Sequence, residues 1–79
     1  MQSKEFLINS IERVKRFVNV TVKFEEDIDL VAGKYIVNGK SILAIFSLDL
    51  FRPITVRINT DDLEQADRFF KEVEKALKG

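Results

Sequence analysis

NGKSILAIFSLDL, residues 38–50, breaks the alternating apolar pattern on either side of it, and its period decides what the rest of the chain can form. Ile42, Ile45 and Phe46 recur at spacings of three and four, and Leu43 and Leu48 add a second apolar side. That is the period of a short helix opening at Ser41, whose hydroxyl is placed to cap the free amides of the first turn. Gly39, just ahead, suits a tight turn. A helix of roughly seven or eight residues does not stand alone in water, so neighbouring elements must hold it. It also carries more apolar side chains than one buried stripe uses, so Leu43 and Phe46 are expected to face outward as part of a docking surface. The Gly39-Lys40-Ser41 triplet resembles the end of a phosphate-binding loop, but the glycine that motif requires falls at Lys34, with Gly33 one place off.

On the N-terminal side, Ile28, Leu30 and Ala32 alternate with Asp27, Asp29 and Val31, which reads as a half-buried strand. Gly33-Lys34 is the tip of a hairpin, and Tyr35 to Asn38 is the returning strand. On the C-terminal side, Asp49 to Arg52 turns the chain. Pro53 suits the first position of a strand in which Ile54, Val56 and Ile58 share one face and Thr55, Arg57 and Asn59 the other. At the start of the chain, Lys4 to Ile8 is a strand with Phe6 and Ile8 on one face. Asn9 and Glu12 have capping-box spacing, with Ser10 a second cap. Ile11, Val14, Phe17 and Val18 then mark a helical face that ends near Val20. The last element is a helix capped by Asp61 and Glu64, with Leu63, Ala66, Phe70, Val73 and Leu77 as its stripe and Phe69 and Ala76 widening it. Asp67–Lys71, Arg68–Glu72 and Glu74–Lys78 stand four apart on its outer side.

The order is strand, helix, strand, strand, short helix, strand, long helix, which predicts a two-layer α/β fold, an open-faced sandwich with one solvated sheet face. Seventy-nine residues, 46% apolar and 33% charged, fit one globular domain over residues 1–79 rather than a disordered chain. No signal peptide, no bilayer-length apolar run and no cysteine is present, which predicts a cytoplasmic protein with no membrane association. Thirteen basic and thirteen acidic residues cancel, an unpromising balance for binding a phosphate backbone, so no nucleic acid is expected as a partner. No metal-ligand pattern and no cofactor motif is seen, and none is expected.

Lys40-Ser41, Ile42 to Phe46 and Ser47-Leu48, taken with the element order, resemble the histidine-containing phosphocarrier protein (HPr) family of the bacterial sugar phosphotransferase system. The resemblance implies a four-stranded antiparallel sheet in the order 1-4-2-3, with three helices on one face and topology β-α-β-β-α-β-α. It also implies a phosphate-accepting histidine at the start of the first helix, within a glycine-x-histidine-alanine-arginine-proline motif. Here that histidine position falls at Ser10, the arginine at Glu12 and the proline at Arg13, and the chain has no histidine anywhere. A serine hydroxyl with no base to activate it is a poor nucleophile, and its phosphate ester is too stable to hand on. Histidine phosphocarrier activity is therefore not expected.

What remains is a non-catalytic, HPr-like protein-binding or regulatory module related to the phosphotransferase system. In the family, partners dock on the short and first helices, which maps to Lys40, Ile42, Leu43 and Phe46, with Lys15 and Asn19 nearby. Ser41 matches the serine that a dedicated kinase phosphorylates in Gram-positive members, so a Ser41-phosphorylated regulator is an alternative reading. A phosphate there would sit beside free amides and Lys40. A third reading is a small structural protein that self-associates as a weak homodimer, through an edge strand or outer apolar residues such as Val31, Ile36 and Phe51. Catalysis by Ser10, by Ser41, by Asp49 with Lys40 or by the Asp27 and Asp29 carboxylates has no supporting constellation in the sequence.

Overall fold

The structure is a computed structural model that describes residues 2–78. The elements follow in the order β1 (Gln2–Phe6), α1 (Ile11–Thr21), β2 (Ile28–Ala32), β3 (Tyr35–Asn38), α2 (Ile42–Phe46), β4 (Ile54–Ile58) and α3 (Leu63–Lys78). The four strands form one antiparallel sheet in the order β1-β4-β2-β3, the HPr-like fold with its three helices on one face.

The alternation in β4 is what anchors the sheet. Ile54, Val56 and Ile58 are fully buried on the helix side, flanked by Phe6 on β1 and by Ile28 and Leu30 on β2. Pro53 lies one residue ahead of the strand rather than in it, because β4 is central and needs every ladder donor. The β2–β3 hairpin turns at Gly33 with φ 61°; a positive φ at the first of two turn residues suits the right-handed twist of the strands. β1 begins two residues earlier than Lys4 and stops at Phe6, so four residues, not two, lead into α1, and Ile8 reaches the core from that link.

The helices cover the sheet through Val14, Phe17 and Val20 of α1, Ile45 of α2, and Ala66, Phe69, Val73 and Leu77 of α3. Three expectations about these faces are corrected. Ile11 opens α1 and is exposed, its place on the buried side being taken by Val20 and Thr21. The α3 stripe is centred on Phe69, which is fully buried and meets the Phe24 ring edge-on at 5.2 Å, while Phe70 is half-buried beside Phe6 and Leu63 is exposed. The start of α3 is capped by Asp62, whose Oδ1 accepts the Glu64 and Gln65 amides at 3.0 and 3.2 Å; Asp61 does not hold that position.

The open face of the sheet carries Ser3, Glu5, Thr55, Arg57, Asp29, Val31, Ile36 and Asn38 in register. Arg57 and Asp29 pair across β4 and β2 at 3.5 Å. No helix among the described residues is long and apolar enough to cross a membrane.

Candidate functional site

Ser41 is the N-cap of α2, with extended backbone (φ −103°, ψ 108°) and its Oγ accepting the Ala44 amide at 3.3 Å. The helix that follows is five residues long, shorter than its apolar run suggests, because Ser47 already closes it: the Ser47 amide bonds back to Ala44 O and its hydroxyl donates to the same carbonyl at 2.5 Å. One turn and a half cannot hold itself, and α2 is fastened from three sides. The buried Thr21 hydroxyl, at the end of α1, donates to Gly39 O at 2.8 Å. The Gly39 amide donates to Ile28 O at 2.7 Å, which ties the approach to β2. Lys40 is half-buried and its Nζ donates to Phe24 O at 2.5 Å.

Gly39 has a reason to be glycine, and it is not turn conformation. A Cβ there would lie 2.7 Å from Ile28 Cγ2 and 3.1 Å from Ile28 O, so only hydrogen lets the chain pass β2 so closely. Below α2, Ile45 is fully buried, Leu48 is buried and Ile42 packs half-buried against the same core. Above it, Leu43 is 81% and Phe46 40% exposed, three residues apart and therefore on one side of the helix.

α1 lies against α2. Its outer side carries Ile11, Lys15 and Asn19, four residues apart and all exposed, with Ile11 64% exposed. Ile11 belongs with the candidate surface and was missed by sequence reasoning, since its spacing to Val14 and Val18 mimics a core position. Lys40 was placed in the surface by sequence, yet its ammonium is directed to the Phe24 carbonyl. Ser10 caps α1, its Oγ accepting the Arg13 amide at 3.1 Å, while Arg13 Nη1 reaches Leu7 O at 3.4 Å. Ser10 and Ser41 are not brought together. Thr21, which touches the approach to Ser41, is at the far end of α1, a helix of 11 residues and so about 16 Å long.

The residues weighed for catalysis are also kept apart. Asp49 accepts the Phe51 amide at 3.1 Å and faces Arg52 Nε at 3.5 Å within its own turn, away from Lys40. Asp29 is paired with Arg57, and Asp27 is exposed, its carbonyl holding the Asn59 amide. Among the described residues, no group of three or more acidic, histidine or cysteine side chains is placed to hold a metal ion. Gly33 lies in the β2–β3 hairpin, in no phosphate loop.

No family model matches the chain, and neither does any curated protein. Among solved structures, HPr-C-His from Thermoanaerobacter tengcongensis matches with TM-score 0.78 at 23% identity, over 100% of this chain and 98% of that one. The histidine-containing phosphocarrier protein of a mycoplasma matches with TM-score 0.70 at 20% identity, over 96% of this chain and 97% of that one. Crh, the catabolite repression containing protein of Bacillus subtilis, whose structure is a swapped dimer, matches with TM-score 0.64 at 22% identity, over 86% of this chain and 82% of that one. These identities establish a shared fold.

Proposed function

We propose that residues 1–79 form one HPr-like domain that acts as a non-catalytic docking module, presenting the α1–α2 surface to a protein that recognises the same helix pair on phosphocarriers. The observation that carries this reading is the outward face of α2. Leu43 and Phe46 stand in solvent on a five-residue helix that is held from behind by Ile45 and by hydrogen bonds to its approach. A rigid pair of apolar side chains needs little ordering on contact, and such anchors supply most of the energy of a modest interface. Ile11, Lys15 and Asn19 extend the contact along α1.

Phosphate transfer is set aside on chemistry. The sequence holds no histidine, and Ser10 takes the position that the resemblance assigns to one. Its Oγ accepts an amide, and no carboxylate among the described residues accepts its proton. A hydroxyl so placed neither attacks a phosphoryl donor nor yields a phosphate that can be passed on.

Two measurements test the reading. Incubation with phosphoenolpyruvate and the first enzyme of the phosphotransferase system should leave the intact mass unchanged; a gain of one phosphate overturns the non-carrier assignment. Titration with the same enzyme, followed by amide chemical shifts, should move residues 41–47 together with Ile11, Lys15 and Asn19. A Leu43→Asp variant should abolish the shifts, and an unperturbed α2 in the wild type would end the docking proposal.

A second reading, phosphorylation at Ser41, has one favouring observation: its hydroxyl makes a long cap bond of 3.3 Å at the start of α2. A phosphate there would bring three acceptor oxygens to the amides of the first turn. Treatment with ATP and the phosphocarrier serine kinase should then add one phosphate, lost in Ser41→Ala.

A further inference from the structure

β1 and β3 are the two edges of the sheet, and they are built differently. β1 carries Lys4 and Glu5, and Lys4 pairs with Glu74 of α3, which guards that edge with charge. β3 is Tyr-Ile-Val-Asn: uncharged, rich in strand-forming residues, with Tyr35 71% and Ile36 59% exposed.

The register of β3 says which of its backbone groups are free. Gly39 donates to Ile28 O, so in an antiparallel ladder Tyr35, Val37 and Gly39 turn their amides and carbonyls toward β2. Ile36 therefore turns its amide and carbonyl away from the sheet, as does the Asn38 amide. Two copies related by a two-fold axis perpendicular to the sheet can join β3 to β3 only with a residue opposite itself. With the axis at Ile36, each Ile36 amide meets the other Ile36 carbonyl.

We propose that β3 is a self-association edge, pairing antiparallel with β3 of a second copy about Ile36 into a continuous eight-stranded sheet.

The side chains fit that register on both faces. On the open face Val31, Ile36, Ile36 of the second copy and its Val31 form one apolar row. On the helix face Tyr35 stands opposite Val37 of the second copy, twice. Lys34 falls opposite Asn38 of the second copy, in line with Asp29, which pairs with Asn38 across β2 and β3. The Lys34 and Asp29 Cα atoms are then about 10 Å apart, within reach of an extended lysine, so opposite charges meet on each side of the axis. With thirteen charges of each sign, the copies do not repel as wholes. Four residues of strand bury little area, which sets the dimer in the weak, concentration-dependent class. This surface is separate from Leu43 and Phe46, so the inference stands or falls independently of the docking function.

Sedimentation equilibrium from about 10 µM to 1 mM tests it. The wild type should pass from monomer to dimer, with the Ile36 amide exchanging more slowly as concentration rises. Ile36→Pro removes only an outward donor, and Lys34→Glu sets like charge toward Asp29. Each should weaken the dimer about tenfold or more with the circular dichroism spectrum unchanged, and the Lys34 variant serves if the proline variant does not fold. Leu43→Asp should leave the dimer intact. A wild type that stays monomeric to 1 mM overturns the proposal, as does a dimer indifferent to Lys34→Glu or lost in Leu43→Asp. So does a fast-exchanging Ile36 amide in the dimer, which would mean that another peptide or another surface, not β3, is engaged.

Discussion

Thr21 is the one buried polar side chain of the core, and its hydroxyl has no neutral substitute. It faces Val18 O at 3.2 Å and Gly39 O at 2.8 Å, the second of which has its amide already committed to Ile28. Thr21→Val keeps the shape and strands the Gly39 carbonyl without a donor. We expect a loss of about 1–3 kcal/mol in urea unfolding, with the fold retained. Gly39→Ala should cost a similar amount, about 1–3 kcal/mol, for a steric reason: Ile28 Cβ, Cγ2 and O all lie within 3.2 Å of the new methyl group, and two of those three atoms are held by a strand. Neither role is visible in the sequence. A glycine before a helix reads as a turn residue, and a threonine at a helix end reads as a weak helix former. The partner that explains each of them is 10 or more positions away in the chain.

Within α2, burial and exposure alternate so sharply that adjacent residues should answer differently to the same change. Ile45→Ala should cost about 2–5 kcal/mol, whereas Leu43→Ala, on the opposite side, should change stability by less than about 0.5 kcal/mol and be felt in partner binding. Thermal or urea denaturation of the two variants side by side checks this. An equal loss in both would mean that Leu43 is packed in solution. The elements themselves were largely legible: all seven, in order, follow from apolar periods, cap residues and Gly33, and β3 from Tyr35 to Asn38 agrees to the residue. Which way each helix turns was less so. Phe69 and Phe70 both fit a spacing of three or four with Ala66 and Val73, and only the Phe24 ring, brought from another element, selects Phe69. Charges tell the same story. Asp67 and Lys71 pair at 3.0 Å as their spacing predicts, but Glu72 faces Lys23, Glu74 takes Lys4, and Arg68 lies over the Phe24 ring at 5.4 Å. Local spacing cannot compete with a partner from another element when both ends are long and exposed. The candidate surface was legible in Leu43 and Phe46 because a short helix cannot bury both sides. Ile11 was hidden because first-turn residues keep the helical period even where the helix starts beyond its cover.

At the scale of the molecule, the core is one continuous cluster from Phe6 to Leu77, and the charge pairs lie outside it. The pairs Lys23–Glu72, Arg52–Asp49 and Lys71–Asp67 have mostly exposed side chains, and the opposite charges balance. Raising sodium chloride from 0.05 to 0.5 M (roughly a threefold shorter screening length) should therefore shift the unfolding free energy by less than about 1 kcal/mol, read from urea midpoints at constant slope. A larger loss would place an ion pair among the main supports of the fold. The fastening of α2 carries a different kind of consequence. The Thr21 and Ile28 bonds reach α2 through the backbone of Gly39, and the Lys40 bond ends on the Phe24 carbonyl, while only Ile45, Leu48 and part of Ile42 anchor the helix by side chain. Positions 43 and 46 are thus free of any folding duty. Lineages sharing this scaffold can rewrite those two side chains one step at a time, acquiring or abandoning partners, without passing through an unfolded intermediate sequence.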